Sequence, residues 1–193
     1  MTLTPEERQI LLRLARQALE EGVRGKPLAP LDLSTLPPRL QEPGASFVTL
    51  TKEGELRGCV GTLEAHQPLA EDVREHAVAA ALEDFRFPPV RPEELSEIRI
   101  EVSYLTPLEP VEFDSPEELL SRLRPGVDGV VLRQGWRRAT FLPQVWEQIP
   151  DPQEFLDHLC LKMGRPAGCW RSGGIEVWVY QVESFEEETE GGG

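Results

Sequence analysis

The sequence contains no asparagine, few lysines beside its arginines and only three cysteines. Asparagine is one of the thermolabile residues that proteins from hot environments use sparingly. The chain also has 18 prolines, and proline stiffens loops in such proteins. The composition therefore predicts a protein from a thermophilic organism.

Positive charge is also scarce, because 20 Lys and Arg stand against 34 Asp and Glu, which leaves a net charge of −14. A field of that sign repels phosphate backbones and anionic membrane surfaces. The basic exception is Trp136-Arg137-Arg138, which an exposed arginine pair on a hairpin explains equally well. No stretch approaches the roughly 20 apolar residues of a membrane helix. We therefore expect neither a nucleic acid nor a membrane as a partner.

The three cysteines, Cys59, Cys160 and Cys169, are odd in number and lack Cys-x-x-Cys spacing. Together with a start that lacks a basic region and a continuous apolar run, this predicts a reducing cytoplasm. Neither the cysteines nor the three histidines have the spacing of a closed zinc site. The chain has no phosphate-binding glycine loop and no dinucleotide fingerprint. We therefore expect no metal and no cofactor.

A chain of this length is one domain or one unit of two small lobes. We expect a single unit over residues 5–187, with a lobe boundary that the sequence leaves open. Residues 188–193 are predicted to form a flexible tail of acidic residues and glycine. Residues 24–43, rich in proline and leucine, are predicted to be an ordered loop that wraps around the core.

Capping boxes, helix-start residues and helical spacing of apolar residues predict four helices. They run from Thr4 to Gly22, onward from Pro68, from Ser115 to Leu123 and from Asp151 to Gly164. Alternating apolar and polar residues predict strands. These strands are 45–51, 56–62, 98–105, 127–133, 136–142 and Ile175 to Phe185. Hairpins placed between helices predict an α+β fold of two lobes, with antiparallel sheet hairpins flanked by helices.

The second strand carries the most informative segment, Leu56-Arg57-Gly58-Cys59-Val60-Gly61-Thr62. Strand alternation places Leu56, Gly58 and Val60 on one face, with the apolar pair toward the core. The other face then presents Arg57, Cys59 and Gly61. A guanidinium beside a thiol favours the thiolate, which is the reactive form.

Each of these residues also has a purely structural interpretation. Cysteine is among the most buried residue types and can serve as a small hydrophobe. Arg57 can bind an anionic substrate or pair with a carboxylate. Gly58 and Gly61 can admit a ligand or pack beneath a helix. The sequence leaves these alternatives open.

The segment resembles the signature of the AMMECR family, Leu-Arg-Gly-Cys-Ile-Gly, with Val60 in place of the isoleucine. Further blocks follow the family order over roughly residues 5–187: 47–50, 84–89, 101–107, 126–130 and 140–146. Within them, Phe85 stands where a small residue or proline is commoner.

No reaction is established for the AMMECR family, which resembles this chain along nearly all of its length. The resemblance implies a two-lobed α+β fold with the motif near the lobe interface. Microbial relatives occur fused to, or encoded beside, Memo-like and radical-SAM-like proteins, which makes such proteins candidate partners.

Other candidate residues lie outside the motif. Asp84 and Arg86 fall in a proline-rich loop, where Arg86 can clamp a carboxylate or phosphate, or simply pair with Asp84. His66 and His76 are the bases nearest to Cys59 in sequence. His76 falls on the apolar face of its helix, where a satisfied core histidine is common, whereas His66 precedes that helix.

These residues lead to two hypotheses of different classes. The first is a small-molecule enzyme, or an enzyme's partner subunit, that uses Cys59 on an anionic metabolite. In it, Arg57 holds the thiolate and Arg86 is a second anion clamp, with Asp84, Gly58 and Gly61 lining the site. His66 or a nearby carboxylate carries the proton. The alternative is a non-catalytic interaction module or adaptor, and the sequence leaves open whether the chain is an enzyme.

Overall fold

The first helix begins where the sequence predicts it. In the structure, a computed structural model that describes residues 2–188, Thr4 and Glu7 form a reciprocal capping box ahead of helix α1, Pro5–Val23. The capping box satisfies backbone N–H groups that the first turn leaves without partners. Leu11, Ala15 and Leu19 recur at helical spacing and are buried.

The remaining elements alternate as hairpins and helices. The other helices are α2, Pro38–Gln41; α3, Leu69–Leu82; α4, Pro116–Arg122; and α5, Pro152–Lys162. The strands are β1, Ala45–Lys52; β2, Glu55–Gly61; β3, Ile98–Leu105; β4, Glu109–Pro110; β5, Gly129–Gln134; β6, Arg137–Phe141; β7, Glu176–Tyr180; and β8, Val182–Glu186. The predicted α+β class is confirmed, since the helices accompany two sheets whose β1–β2, β1–β3, β4–β7, β5–β6 and β5–β7 pairs are antiparallel.

The chain divides into two compact units, each with its own sheet. The first unit comprises Met1–Leu105 and Glu183–Gly193, and the second comprises Thr106–Val182. The strand order is β2-β1-β3-β8 in the first sheet and β4-β7-β5-β6 in the second.

In the first unit, helices α1 and α3 contribute to one core with the apolar face of the sheet. Val48 and Leu50 of β1 and Ile100 and Val102 of β3 are buried in that core. The alternate residues of the same strands are only half-buried. The sheet therefore has a helix-covered face and a second face that carries polar side chains.

The second unit has a separate core built around aromatic residues. The rings of Trp146 and Phe155 stack with centroids 3.7 Å apart. Cys160 of α5 is disulfide-bonded to Cys169. This bond corrects the expectation that all three thiols are reduced, and spacing arguments missed it because only the fold brings these two cysteines together. Cys59 is the free cysteine of the three.

Two further predictions need correction. The predicted last strand, 175–185, is two strands: β7 belongs to the second sheet and β8 to the first. Within the 24–43 loop, Leu40 is fully buried as predicted, but Leu28 remains 38% exposed. Residues 189–193 of the predicted tail lie outside the described residues. In the part of the chain that is described, no helix is both long and apolar enough to cross a membrane.

Close packing between β2 and α3 fixes the position of the motif strand. A Cβ atom at Gly58 would overlap the carbonyl oxygen of Ala80 in α3. The alanine-rich face of α3 supports this approach, with Ala77, Ala80 and Ala81 all buried. Small side chains on the helix and none on the strand let the two backbones meet.

We predict that Gly58→Ala lowers the free energy of unfolding by about 3 kcal/mol, because the obstacle is backbone and cannot rotate away. Urea unfolding at neutral pH measures this. Gly173→Ala is the matched control, since a Cβ there meets nothing within 4 Å; its effect should stay within about 0.5 kcal/mol. Equal stabilities of the two variants would contradict the packing role of Gly58.

Candidate functional site

The motif strand β2 lies at an edge of the first sheet and pairs only with β1 within the described residues. Its pairing is interrupted by a bulge. Leu50 is opposite Gly58, but Thr51 is opposite Leu56, which leaves Arg57 as an extra residue. A bulge changes the face on which the following side chains lie.

The bulge overturns one prediction about the motif. Because Leu56 pairs with Thr51, it shares a face with Cys59, whose partner is Thr49. The prediction that Leu56 serves the core is therefore wrong, and its side chain is 42% exposed. Val60 does pack against the core, as predicted.

Both motif glycines pack against the protein's own chain, which is one of the two alternatives that the sequence left open for them. Gly58 faces the backbone of α3. A Cβ at Gly61 would overlap Phe47 and the carbonyl oxygen of Ser46 on the neighbouring strand. Close approach is needed at both positions, and the protein's own chain makes it.

Arg57 is engaged by a carboxylate. Its Nε and Nη2 atoms donate to the two carboxylate oxygens of Glu94 at 3.1 and 3.2 Å, and Lys52 Nζ lies 3.2 Å from the same carboxylate. The Arg57 hydrogen bond lowers the pKa of Glu94 to about 2. Of the two interpretations of Arg57, the structure shows the ion pair, in place of the predicted contact with the thiolate.

Asp84 connects the motif strand to the loop that follows α3. Its Oδ2 accepts a hydrogen bond from the backbone N–H of Cys59 at 3.0 Å. Arg86 donates to both oxygens of Asp84, from Nε at 3.0 Å and from Nη2 at 2.7 Å. The Arg86 hydrogen bond holds the pKa of Asp84 well below its usual range. Asp84 thus contacts Cys59 directly, and Arg86 is connected to Cys59 through Asp84. The Asp84–Arg86 pair is the salt bridge that the sequence left open as an alternative.

The two arginines beside the motif differ in exposure. The pKa of Arg86 is raised, first by the hydrogen bond to Asp84 and also by the charge of that carboxylate. The Arg86 side chain is 58% exposed, whereas that of Arg57 is 12% exposed. Arg86 is therefore the arginine that an external anion can reach.

Sequence reasoning missed a row of polar side chains across the second face of the sheet. The row consists of Cys59 on β2, Thr49 on β1 and Glu101 on β3, which are direct cross-strand partners. The Thr49 hydroxyl donates to the Cys59 Sγ at 3.2 Å. Burial, reinforced by the charge of Glu186, raises the pKa of Glu101. The alternation of Arg99, Glu101 and Ser103 in β3 was the available signal, but it could not show which strand lies beside β3.

The histidines are not joined to this row. His66 is exposed, and its Nδ1 lies 3.1 Å from the carbonyl oxygen of Glu64. His76 is buried, as predicted, with its Nδ1 3.1 Å from the carboxylate of Asp72. The structure shows no hydrogen bond from His66 to Cys59 within residues 2–188. The same residues contain no group of three or more His, Cys, Asp or Glu that could hold a metal ion.

The Arg57–Glu94 pair predicts a pH dependence of stability. The pKa of Glu94 is lowered in the folded state. Ionised Glu94 therefore adds to the free energy of unfolding at pH values above its unfolded pKa of about 4.3, and this stabilisation is lost as the pH falls toward 2. We expect Glu94→Gln to be about 2 kcal/mol less stable than wild type at pH 7, since it leaves Arg57 without its anion.

The difference between the two proteins should shrink toward zero as the pH approaches 2. Urea unfolding at pH 7, 4 and 2.5 measures it. Glu117→Gln, on an exposed turn of α4 in the second unit, is the control and should track wild type at each pH. A gap between Glu94→Gln and wild type that does not change with pH would contradict this account.

Comparison with known proteins gives the family. The AMMECR1 family profile matches residues 12–185. A protein of Methanothermobacter thermautotrophicus is 42% identical over 187 residues, which cover 96% of this chain and 97% of that protein. Protein MJ0810 of Methanocaldococcus jannaschii is 38% identical over 96% of this chain and 92% of its own length.

A solved structure is similar along the whole fold. The crystal structure of the uncharacterized protein PH0010 from Pyrococcus horikoshii has a TM-score of 0.78 and 38% identity, and the match covers 96% of this chain and 94% of that one. These relatives come from thermophilic archaea, which fits the composition of the sequence. The family profile covers most of the chain, including the motif strand β2 and parts of both units. The chain therefore belongs to the AMMECR1 family.

Proposed function

We propose that the chain is a small-molecule enzyme, or the partner subunit of an enzyme, that acts on an anionic metabolite through the thiol of Cys59. The observation that carries this proposal is the environment of the sulfur. Cys59 Sγ accepts a hydrogen bond from Thr49, the residue is partly exposed, and its backbone N–H binds Asp84, which pairs with Arg86. Reactive cysteines lie in partly exposed surroundings of this kind, close to a cation.

Arg86 has the capacity to bind the anionic substrate. A guanidinium has five N–H donors in a planar fork. Asp84 takes up the Nε donor and one Nη2 donor, and the side chain is otherwise largely exposed. The Nη1 donors are therefore available to a carboxylate or phosphate. Asp84 in turn fixes both the guanidinium and the Cys59 backbone, so the thiol and the anion site move together.

The other predicted site residues take supporting roles in this proposal. Gly58 and Gly61 allow the packing that fixes the strand, and the Arg57–Glu94 pair holds its bulged end. His66 lies on an exposed loop, five residues after Gly61, the last residue of β2. A carboxylate on the sheet is better placed than His66 to carry the proton.

The test is the reactivity of Cys59 toward iodoacetamide at pH 7. We expect the folded protein to be alkylated at least about tenfold faster than glutathione, because a thiolate reacts and a thiol does not. Without reductant, Cys160 and Cys169 are protected by their disulfide, so Cys59→Ser should abolish labelling. The proposal fails if Cys59 reacts no faster than glutathione.

Arg86→Gln should slow the reaction about threefold or more, because it removes the cation that Asp84 connects to Cys59. Arg122→Gln is the matched control. Arg122 forms a comparable ion pair with Glu118, and its side chain is 53% exposed against 58% for Arg86, but it belongs to the second unit. Equal rates for the two variants would remove Arg86 from the site.

A second candidate, the interaction module, is favoured by one observation. The side chain of Phe85 is 100% exposed, next to an apolar pocket of about 600 Å³. The pocket is lined by Val60, Leu82, Glu83, Asp84, Phe85, Phe87 and Pro89. An exposed aromatic beside an apolar pocket is typical of a protein-binding surface. The partner in this candidate is a Memo-like or radical-SAM-like protein.

Size-exclusion chromatography of the chain mixed with a purified Memo-like protein tests this candidate. A stoichiometric complex that Phe85→Ser weakens at least about tenfold, together with a slowly reacting Cys59, would favour the interaction module. Trp136→Ser is the control, because Trp136 is 87% exposed but lies in the second unit. Absence of a complex, or equal weakening by both variants, would count against this surface.

A further inference from the structure

We propose that Glu101 takes the proton of the Cys59 thiol through the hydroxyl of Thr49, so that these three side chains form one proton-transfer unit. This inference rests on the proposed thiol function and names the group that serves it. It replaces a histidine as the partner of the cysteine.

The register of the sheet places Thr49 between the other two residues. Thr49 is the direct partner of Cys59 across β1–β2 and of Glu101 across β1–β3. Directly opposed residues in antiparallel strands have Cβ atoms about 4.5–5.5 Å apart. The Thr49 hydroxyl bonds the sulfur at 3.2 Å. Glu101 lies directly opposite Thr49 on its other side and forms no hydrogen bond to it within residues 2–188, so the transfer requires the Glu101 side chain to rotate toward that hydroxyl. Cys59 and Glu101, two strands apart, are about 10 Å from each other and need such a bridge.

The neighbours on this face leave Glu101 available for that role. Arg99 of β3 pairs with Glu186 of β8 at 3.1 Å, and Ser103 bonds Ser184 of β8 at 2.9 Å. On the side of β2, Asp84 holds Arg86, and Arg57 and Lys52 are held by Glu94. Within residues 2–188, no cation forms an ion pair with Glu101. Burial raises the pKa of its carboxyl, and Glu186 adds to that effect while Arg99 opposes it.

The transfer balances without any further reactant. The Sγ–H bond breaks and its proton passes to Thr49 Oγ1, while the hydroxyl proton of Thr49 passes to the Glu101 carboxylate. The negative charge moves from Glu101 to the sulfur, so the net charge of the three groups remains −1. The raised pKa of Glu101 narrows the gap to the pKa of a thiol, which makes the carboxylate a better proton acceptor.

The test is the rate of iodoacetamide alkylation of Cys59 between pH 4.5 and 9. In wild type, we expect a pH-independent plateau on the acid side, because thiolate paired with neutral Glu101 persists there. In Glu101→Gln, the rate should instead fall about tenfold for each pH unit below the thiol pKa, as for an isolated thiol. At pH 5.5 the variant should be at least about tenfold slower than wild type. Thr49→Val should also lose the plateau.

Glu55→Gln is the matched control, since Glu55 is an exposed glutamate on the same strand as Cys59 and is about 13 Å along it. It should keep the plateau. Glu101→Asp, which keeps the carboxyl but shortens its reach, should lower the plateau without abolishing it. Thermal unfolding of each variant checks that it is folded. If Glu101→Gln does not fold, Glu101→Asp takes its place in the comparison with wild type.

The outcomes separate this inference from the proposed function. If Cys59 is alkylated no faster than glutathione in wild type and in every variant, the proposed thiol function itself fails. If Cys59 is alkylated faster than glutathione but Glu101→Gln keeps the pH–rate profile of wild type, only the role of Glu101 fails. If Glu101→Gln accelerates alkylation at all pH values, Glu101 acts only as a repelling negative charge, and the proton-transfer unit is overturned.

Discussion

The contact between the Gly58 backbone and the Ala80 carbonyl is the constraint on which the rest of the first unit depends. It brings α3 so close to β2 that a Cβ atom at Gly58 would overlap the backbone of Ala80. With one face of the motif strand covered by the helix, polar chemistry is confined to the opposite face. The same contact directs the chain that leaves α3, so that Asp84 meets the N–H of Cys59. Packing on one face therefore defines the geometry on the other.

Charge pairing organises the surroundings of the thiol within a strongly acidic chain. Carboxylates are plentiful, so the arginines near the motif each have an internal partner: Arg57 has Glu94, Arg86 has Asp84 and Arg99 has Glu186. These pairs differ in exposure, and the side chain of Arg86 is far more accessible to solvent than that of Arg57. Within residues 2–188, Glu101 forms no ion pair, and burial raises the pKa of its carboxyl while Arg99 partly opposes that effect.

The cysteines illustrate how a count can mislead. An odd number without paired spacing indicated reduced thiols, yet Cys160 and Cys169 are bonded within the second unit. Intracellular proteins of hyperthermophiles are a recognised exception to the scarcity of disulfides in the cytosol, and the named relatives of this chain come from thermophilic archaea. The disulfide also simplifies the chemistry, because it leaves Cys59 as the free thiol.

Capping residues and periodicity determined the helices α1, α3, α4 and α5 and the strands β1, β2, β3, β5 and β6, because those signals are local. The composition of the motif, the proline-rich loop and the resemblance to the AMMECR family singled out Cys59, Asp84 and Arg86. Only the tertiary structure decided the bulge at Arg57, which moved Leu56 off the core, and the division of the last strand between two sheets. Only strand register could place Glu101 beside Thr49 and Thr49 beside Cys59, since these residues are far apart in the chain. Periodicity tells which face of a strand a residue occupies, whereas its neighbours on that face depend on which strands pair, and that is settled by packing across the whole unit.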